Sequence, residues 1–292
     1  MTHAVGVGID WGSSNVRAWA FGSDGEIITQ NAISMEFADA RAHGFKNCYQ
    51  SLLEPLNVSN DVPRIACGQI GSRTGWFEVP YISCPGALKN WLQAPIQTPE
   101  PNLYFLSGAS KSNPSPDVMR GEETQILGAT SQGHKGLFCL PGTHSKWARI
   151  EKEQFLDFDT YVTGELFAVS RKHTIFGEFT VEGEPDWQAY AKGVEAAKST
   201  PLLNLLFLPR SQVLAQKQSG QESTWYLSGC LIGSEILSAN PNRLSVTLIA
   251  DGMMAELYSR AMTVLGCNFA PLSADACTTK ALFRAIQSKI ET

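Results

Sequence analysis

Two short segments of the chain combine glycine, hydroxyl side chains and a charged group in a way that suits a polyphosphate. The first is Asp10-Trp11-Gly12-Ser13-Ser14-Asn15-Val16-Arg17. A glycine in the turn lets backbone N–H groups approach phosphate oxygens with no Cβ in the way. Ser13, Ser14 and Asn15 add donors, and Asp10, at the end of a strand, can hold Mg²⁺ directly or through water. Alone this is also a plain hairpin turn with a capping Asp. The second segment, Leu140-Pro141-Gly142-Thr143-His144-Ser145-Lys146-Trp147, repeats the arrangement in the other half of the chain. Here Lys146 adds a cation suited to phosphate or carboxylate. Two such hairpins, around Gly12 and Gly142, are expected to face one another across a cleft and grip a polyphosphate from both sides. His144 could serve as a base, but a histidine in a polar turn is more often a hydrogen-bonding support.

Two further segments carry chemistry. Met119-Arg120-Gly121-Glu122-Glu123-Thr124-Gln125 opens a predicted helix. Acidic residues in a first turn are favoured by the helix dipole alone. The functional alternative makes one carboxylate, Glu123 ahead of Glu122, the general base for a substrate hydroxyl. Adjacent helical residues point about 100° apart, so only one of the two can face a substrate. Val246-Thr247-Leu248-Ile249-Ala250-Asp251-Gly252 reads as strand, small turn and helix start. It suits an adenine–ribose seat at Asp251 and Gly252, and it is equally an ordinary βα loop.

The elements that must position these residues follow from periodicity. Val5, Val7 and Ile9 alternate with Gly6, Gly8 and Asp10 as a strand. Val16 to Phe21 and Glu26 to Ile33 follow across Gly-containing turns, an antiparallel opening. Arg64 to Cys67, Leu103 to Leu106, Leu137 to Leu140 and Val246 to Ile249 are short apolar strands. Helical patterns lie between them, over Thr124 to Ala129 and Asp251 to Leu265. Strand–helix alternation after an antiparallel start predicts a mixed-sheet α/β fold. Leu137 to Leu140, Ser145 to Ile150 and Gln154 to Phe158 echo the opening, which implies two related halves, 1–130 and 131–292. Ser107 to Pro116, with Gly, Ser, Asn, Lys and two prolines, is the expected flexible segment.

Bulk properties exclude several classes. A chain of 292 residues can bury two cores, and 43% hydrophobic with 17% charged residues is ordinary for a globular enzyme. A formal charge of -5 with no Lys/Arg run argues against a nucleic-acid partner. No signal peptide and no membrane-spanning run is read, so no membrane partner is expected. The seven cysteines are odd in number with no C-x-x-C pair, which points to buried free thiols in a reducing cytoplasm, and the five scattered histidines give no zinc spacing.

Taken in order, these segments resemble the 2-dehydro-3-deoxygalactonokinase family, sugar-acid kinases of the superfamily that holds acetate and sugar kinases, Hsp70 and actin. The blocks that carry the likeness are Val7 to Asn15, Ala66 to Trp76, Val118 to Ala129, Leu140 to Trp147, Thr163 to Phe167 and Tyr226 to Gly233. The resemblance implies a two-domain actin-like, ribonuclease H-like α/β fold with an interdomain cleft. It implies ATP and Mg²⁺ as cofactors and phosphorylation of 2-dehydro-3-deoxy-D-galactonate at its 6-hydroxyl. It also implies that the base is an acid just upstream of the second phosphate hairpin, where Glu122 and Glu123 stand. A sugar acid needs a cation for its carboxylate, and Arg73, Arg120 and Lys146 in the matching blocks, with Arg17 just past the first of them, could supply it. Trp76 and Trp11 could pack its carbon skeleton or be core aromatics. The chain departs from the family pattern at Ala250-Asp251-Gly252-Met253 and in Ser273 to Leu282. A same-fold kinase for another sugar or sugar acid and a non-catalytic actin-like ATP-binding regulator are the alternatives, and a homodimer is allowed for.

Overall fold

In the computed structural model, which describes residues 3–291, the opening alternation becomes β1 (Gly6–Trp11), β2 (Asn15–Phe21) and β3 (Ile27–Ser34). Val7, Ile9 and Trp11 all point to one face of β1 and are buried. There they share a core with Phe45, Tyr49 and Leu52 of the helix Phe45–Leu53. The opposite face, at Gly6 and Gly8, lies against Ile286 and Leu282 of the C-terminal helix Ala274–Ile290. Period-two burial on both faces of a short strand is what a central strand requires.

The next strands are β4 (Arg64–Gly68) and β5 (Leu103–Phe105). The sheet order is β3-β2-β1-β4-β5, closed by a short strand, Ile96–Gln97, antiparallel to β5. β1 pairs antiparallel with β2 and β2 with β3, whereas β4 is parallel to β1 and β5 parallel to β4. The second half repeats this. β6 (Gly136–Leu140), β7 (Ser145–Glu151), β8 (Gln154–Tyr161), β9 (Val246–Ile249) and β10 (Phe269–Leu272) are ordered β8-β7-β6-β9-β10. β9 is parallel to β6, and β10 is parallel to β9. The same 3-2-1-4-5 order in both sheets is the repeated ribonuclease H-like unit of the actin/hexokinase-like fold.

The chain divides into two compact units. One comprises Met1–Lys135, Arg149–Phe158 and Ser273–Thr292, and the other Gly136–Ala148 and Asp159–Leu272. Neither is a single stretch, which differs from the division at 130 and 131 read from sequence. The physical reason is that β7 and β8 are long enough to run past the boundary, and that the C-terminal helix is needed to cover β1. In the second unit the core gathers Cys139, Trp147, Tyr190, Ile232, Leu248, Tyr258 and Met262.

The segment Ser107 to Pro116 is not merely flexible: Ala109–Lys111 pairs with Asp117–Met119 and with Ile82–Ser83 in a three-stranded sheet. Lys111 is buried and reaches Asp157 at 3.0 Å. Turn-forming residues mark the bend at Asn113 and Pro114, and of the two strands that order the rest, Ile82–Ser83 is distant in sequence. The seven cysteines are all unpaired, and all but Cys84 are buried. No helix of the described residues is long and apolar enough to cross a membrane.

The helix Glu122–Thr130 packs so closely on the C-terminal helix that a Cβ at Gly128 would overlap the carbonyl of Cys277. Gly128→Ala therefore forces two backbones apart within the first unit. The expected outcome is a loss of more than about 2 kcal/mol in urea unfolding, or a chain that does not fold. An unchanged unfolding midpoint would contradict the packing described.

Candidate active site

The site in the first unit is built where three backbones end together. Asp10 lies beside Cys67 in the parallel β1–β4 register, and Trp11 beside Gly68. Gly68 turns with φ 89, and a side chain there would overlap the Trp11 carbonyl, so only glycine allows so close an approach. Gly121, which precedes the helix Glu122–Thr130, sits directly on Gly68. The carboxyl ends of β1 and β4 and the amino end of that helix thus converge, at the edge where open α/β sheets bind ligands.

Asp10 is held there by Arg17, its neighbour across the β1–β2 pair, at 2.6 Å. The same guanidinium also bonds Asp275 of the C-terminal helix and stacks on Trp19. Burial alone would lower the Arg17 pKa, but Asp10 and then Asp275 outweigh it and raise it. Arg17 is therefore committed to two protein carboxylates, and its role is to orient Asp10. The Gly12 turn closes with the Gly12 amide donating to the Asn15 carbonyl at 3.0 Å. The Ser13 and Ser14 carbonyls accept from Phe37 and Met35, which fixes the turn from behind. Ser13 and Asn15 are exposed, and the Ser13 and Ser14 hydroxyls make no hydrogen bond among the described residues.

Glu123 is 1% exposed. Both its oxygens accept from the Gly121 amide, at 2.7 and 2.9 Å, and Thr124 donates to one of them at 3.2 Å. Burial first, and then the Glu122 charge, push its pKa up to about 8 in spite of those donors. Glu122 is half-buried, so the two acids do diverge. The Cys67 thiol, missed in the sequence reading, lies beside Asp10 and within electrostatic reach of Glu123. Its own pKa is raised by burial and then by Asp10 and Glu123, and its Sγ contacts Asp10 at 3.7 Å. Nothing in sequence signals it, because a cysteine in an apolar strand looks like any core residue.

The cationic candidates separate by environment. Arg120 donates to the Val79 carbonyl at 2.8 Å and lies 4.3 Å from the Tyr81 ring centroid. Its Nε and Nη1 are buried with no hydrogen-bond partner among the described residues. Arg73, in the turn after β4, is exposed and makes no ion pair among the described residues. Trp76 stacks on Phe77 and against Tyr49 beside the core, and Trp11 is fully buried against Phe45. Both tryptophans are core aromatics first.

In the second unit the Gly142 hairpin occupies the same place, between β6 and β7. Thr143 and His144 are exposed, and His144 Nε2 meets Glu165 at 2.6 Å, a hydrogen-bonding support. Glu165 also donates its amide to the Thr143 carbonyl, so the start of the helix Thr163–His173 braces the hairpin. Lys146 is buried, with Nζ on the His144 carbonyl at 2.9 Å. Asp251 caps the helix Gly252–Leu265 positionally, and Gly252 enters it with φ 56. The next residues, Met253 and Met254, line a cavity of about 470 Å³ with Gly164, Trp225, Ser228 and Tyr258. Thr163 and Phe167, in a block that carries the family resemblance, line the same cavity.

A Gly/hydroxyl turn at the same point of two repeated ribonuclease H-like sheets is the arrangement of the actin/hexokinase-like carbohydrate kinases, and this chain is one of them. A profile of the 2-keto-3-deoxy-galactonokinase family matches residues 10–285, and the chain belongs to that family. It is 33% identical to the Rhizobium meliloti protein assigned as 2-dehydro-3-deoxygalactonokinase DgoK1, over 96% of each chain. It is 30% identical to the Escherichia coli 2-dehydro-3-deoxygalactonokinase, over 92% of this chain and 93% of that one. A crystal structure assigned to the same activity, from Sinorhizobium meliloti, superposes with a TM-score of 0.91 at 32% identity. It covers 97% of this chain and 98% of that one.

Proposed function

We propose that this kinase transfers the γ-phosphoryl group of ATP to the 6-hydroxyl of 2-dehydro-3-deoxy-D-galactonate, giving the 6-phosphate in galactonate catabolism in the cytoplasm. The observation that carries the reading is the convergence of Asp10, the Gly12 turn, Glu123 and Arg120 at the ends of β1 and β4, within a chain of this family. Asp10 fits a Mg²⁺ site: it is a half-buried carboxylate beside a phosphate turn, oriented by Arg17 and needing only to share one oxygen. Magnesium, when bound, neutralises charge on the phosphates.

The remaining work falls to the chain's own residues. The Gly12 and Gly142 turns, with Ser13, Ser14, Asn15 and Thr143, supply donors to phosphate oxygens, and Lys146 adds positive charge near the second turn. Asp251, Gly252 and the cavity beside them take the adenosine. Glu123, basic for a carboxylate, accepts the proton of the sugar-acid hydroxyl as that oxygen bonds to phosphorus. The bond to the bridging oxygen breaks, and ADP leaves. Arg120 and Arg73 take the substrate carboxylate. The buried, unpartnered donors of Arg120 support this choice over Arg17, since unsatisfied N–H groups cost free energy unless a ligand or water meets them.

The test is ADP release with purified protein, ATP and Mg²⁺ over a panel of sugar acids and neutral sugars. The expected result is a kcat/KM for 2-dehydro-3-deoxy-D-galactonate at least about 100-fold above galactose or glucose, the penalty for leaving a buried cation unpaired. A neutral sugar as the best substrate would overturn the sugar-acid assignment. Another sugar acid as the best would overturn only the substrate named.

A further inference from the structure

One buried carboxylate in the second unit has no part in the scheme above. Glu235, on the helix Gly220–Ala239, is 3% exposed. Its Oε1 accepts from Trp147 Nε1 at 2.8 Å, and its Oε2 accepts from the Tyr258 hydroxyl at 2.7 Å. Tyr258 and Ser145 share a hydrogen bond of 2.9 Å. Because the Tyr258 proton is given to Glu235, the Ser145 hydroxyl must be the donor in that pair. The Ser145 oxygen in turn accepts from the Gly142 amide at 3.4 Å. Every donor in the chain runs one way, from the glycine of the second phosphate turn, through Ser145 and Tyr258, to the carboxylate.

This network ties together three segments that border the nucleotide site proposed above. Ser145 and Trp147 open β7, immediately after the turn. Tyr258 lies on the helix that begins at Gly252 and lines the cavity. Glu235 shares its helix with Ser228, Leu231 and Ile232, which form the cavity's other wall. A carboxylate can accept from both Trp147 and Tyr258 and so lock the polarity of the relay, whereas an amide can accept on one side only. Burial raises the Glu235 pKa, and hydrogen bonds from Thr163, Trp147 and Tyr258 oppose it. Those donors are what an ionised, structurally committed carboxylate would need in so dry a place.

We infer that Glu235 is a positioning residue for nucleotide: through Tyr258 and Ser145 it holds the Gly142 phosphate turn in register with the cavity behind it. It touches neither nucleotide nor sugar acid. Substituting it removes an anchor rather than a contact, and because the anchor serves the nucleotide, the sugar-acid KM is spared. A buried network of this kind acts as a unit, so its members are strongly non-additive.

The inference rests on the ATP-binding reading, and the experiment separates the two. Binding of ADP with Mg²⁺ is measured calorimetrically for the wild-type chain and for Glu235→Gln, Tyr258→Phe, Ser145→Ala and the Glu235→Gln/Tyr258→Phe pair. KM for ATP and for sugar acid is measured alongside. The expected result is a rise of roughly 10-fold or more in ADP Kd and ATP KM for Glu235→Gln and Tyr258→Phe. The sugar-acid KM should move less than about 2-fold, and the pair should be no weaker than its worse member. Tyr258→Phe and Ser145→Ala each remove one oxygen, so they decide the matter if Glu235→Gln does not fold. Wild-type nucleotide affinity in the folded variants, or an equal rise in sugar-acid KM, would overturn the inference and leave the kinase reading standing. A wild-type chain that does not bind ADP would overturn both.

Discussion

Asp10→Asn should reduce kcat by about 10²–10³-fold, the cost of removing one preorganised charge from a phosphoryl-transfer site. The fold should survive. Arg17 keeps its bond to Asp275, the amide oxygen of Asn can still accept from Arg17, and the β1–β4 register does not depend on the side chain. The effect should appear at saturating ATP, because the lost charge organises the metal rather than the nucleotide as a whole. Titrating Mg²⁺ should recover part of the rate by mass action. The measurement is initial rate against Mg²⁺ concentration, with circular dichroism and urea unfolding to confirm the folded state. Near-normal turnover at saturating Mg²⁺ would remove Asp10 from the metal site. Arg17→Ala offers a weaker companion effect, since it releases Asp10 from its orientation without discharging it.

The base is decided by a pair of variants. Glu123→Gln should lower kcat by about 10²–10⁴-fold, the usual range for loss of a general base, whereas Glu122→Gln should stay within about 5-fold of wild type. The asymmetry follows from burial: Glu123 is enclosed and acts on the buried Cys67 thiol, whereas Glu122 is half in solvent. If both variants keep most of their activity, the base lies elsewhere, and Glu123 is a helix-capping carboxylate that happens to be buried.

The pH dependence gives a second reading of the same residue. With a pKa of about 8, Glu123 is largely protonated at neutral pH and gains its basic form as pH rises. For the free enzyme, kcat/KM for the sugar acid should therefore climb to a plateau above about pH 8, with Glu122→Gln shifting the midpoint downward. That shift follows because the Glu122 charge helps to hold the Glu123 value up. The sign for stability is the opposite. A carboxylate whose folded pKa exceeds its ordinary 4.5 favours the folded state fully below 4.5 and loses that contribution as pH rises through about 8. The urea midpoint of the wild-type chain should thus fall between pH 5 and 9 by more than that of Glu123→Gln. Equal pH profiles for the two would show that the group is not titrating there.

Much of this protein was legible as local pattern. Alternation of apolar residues marks β1, β2 and β3 and their counterparts β6, β7 and β8, because side chains on a strand must face opposite sides whatever lies beyond them. The Gly/hydroxyl turns at Gly12 and Gly142 were visible because a tight turn constrains its own few residues. The likeness of the two halves was also visible, since it was read from the order of such units. Even the divergence of Glu122 and Glu123 follows from helical geometry alone.

The rest depends on which distant segments meet. Arg17 looked like a substrate cation until Asp275, far along the chain, took part of it. Ser107 to Pro116 reads as flexible by composition, but Ile82–Ser83 supplies a strand with which Ala109 and Ser110 pair. The C-terminal helix joins the first unit although its sequence neighbours belong to the second, because the glycine face of β1 can be buried only by an element that fits against it. The raised pKa of Glu123 and the relay from Gly142 to Glu235 are of the same kind. Burial and hydrogen-bond partnership are properties of a place in three dimensions, and periodicity within one element carries no information about what will pack on its other side.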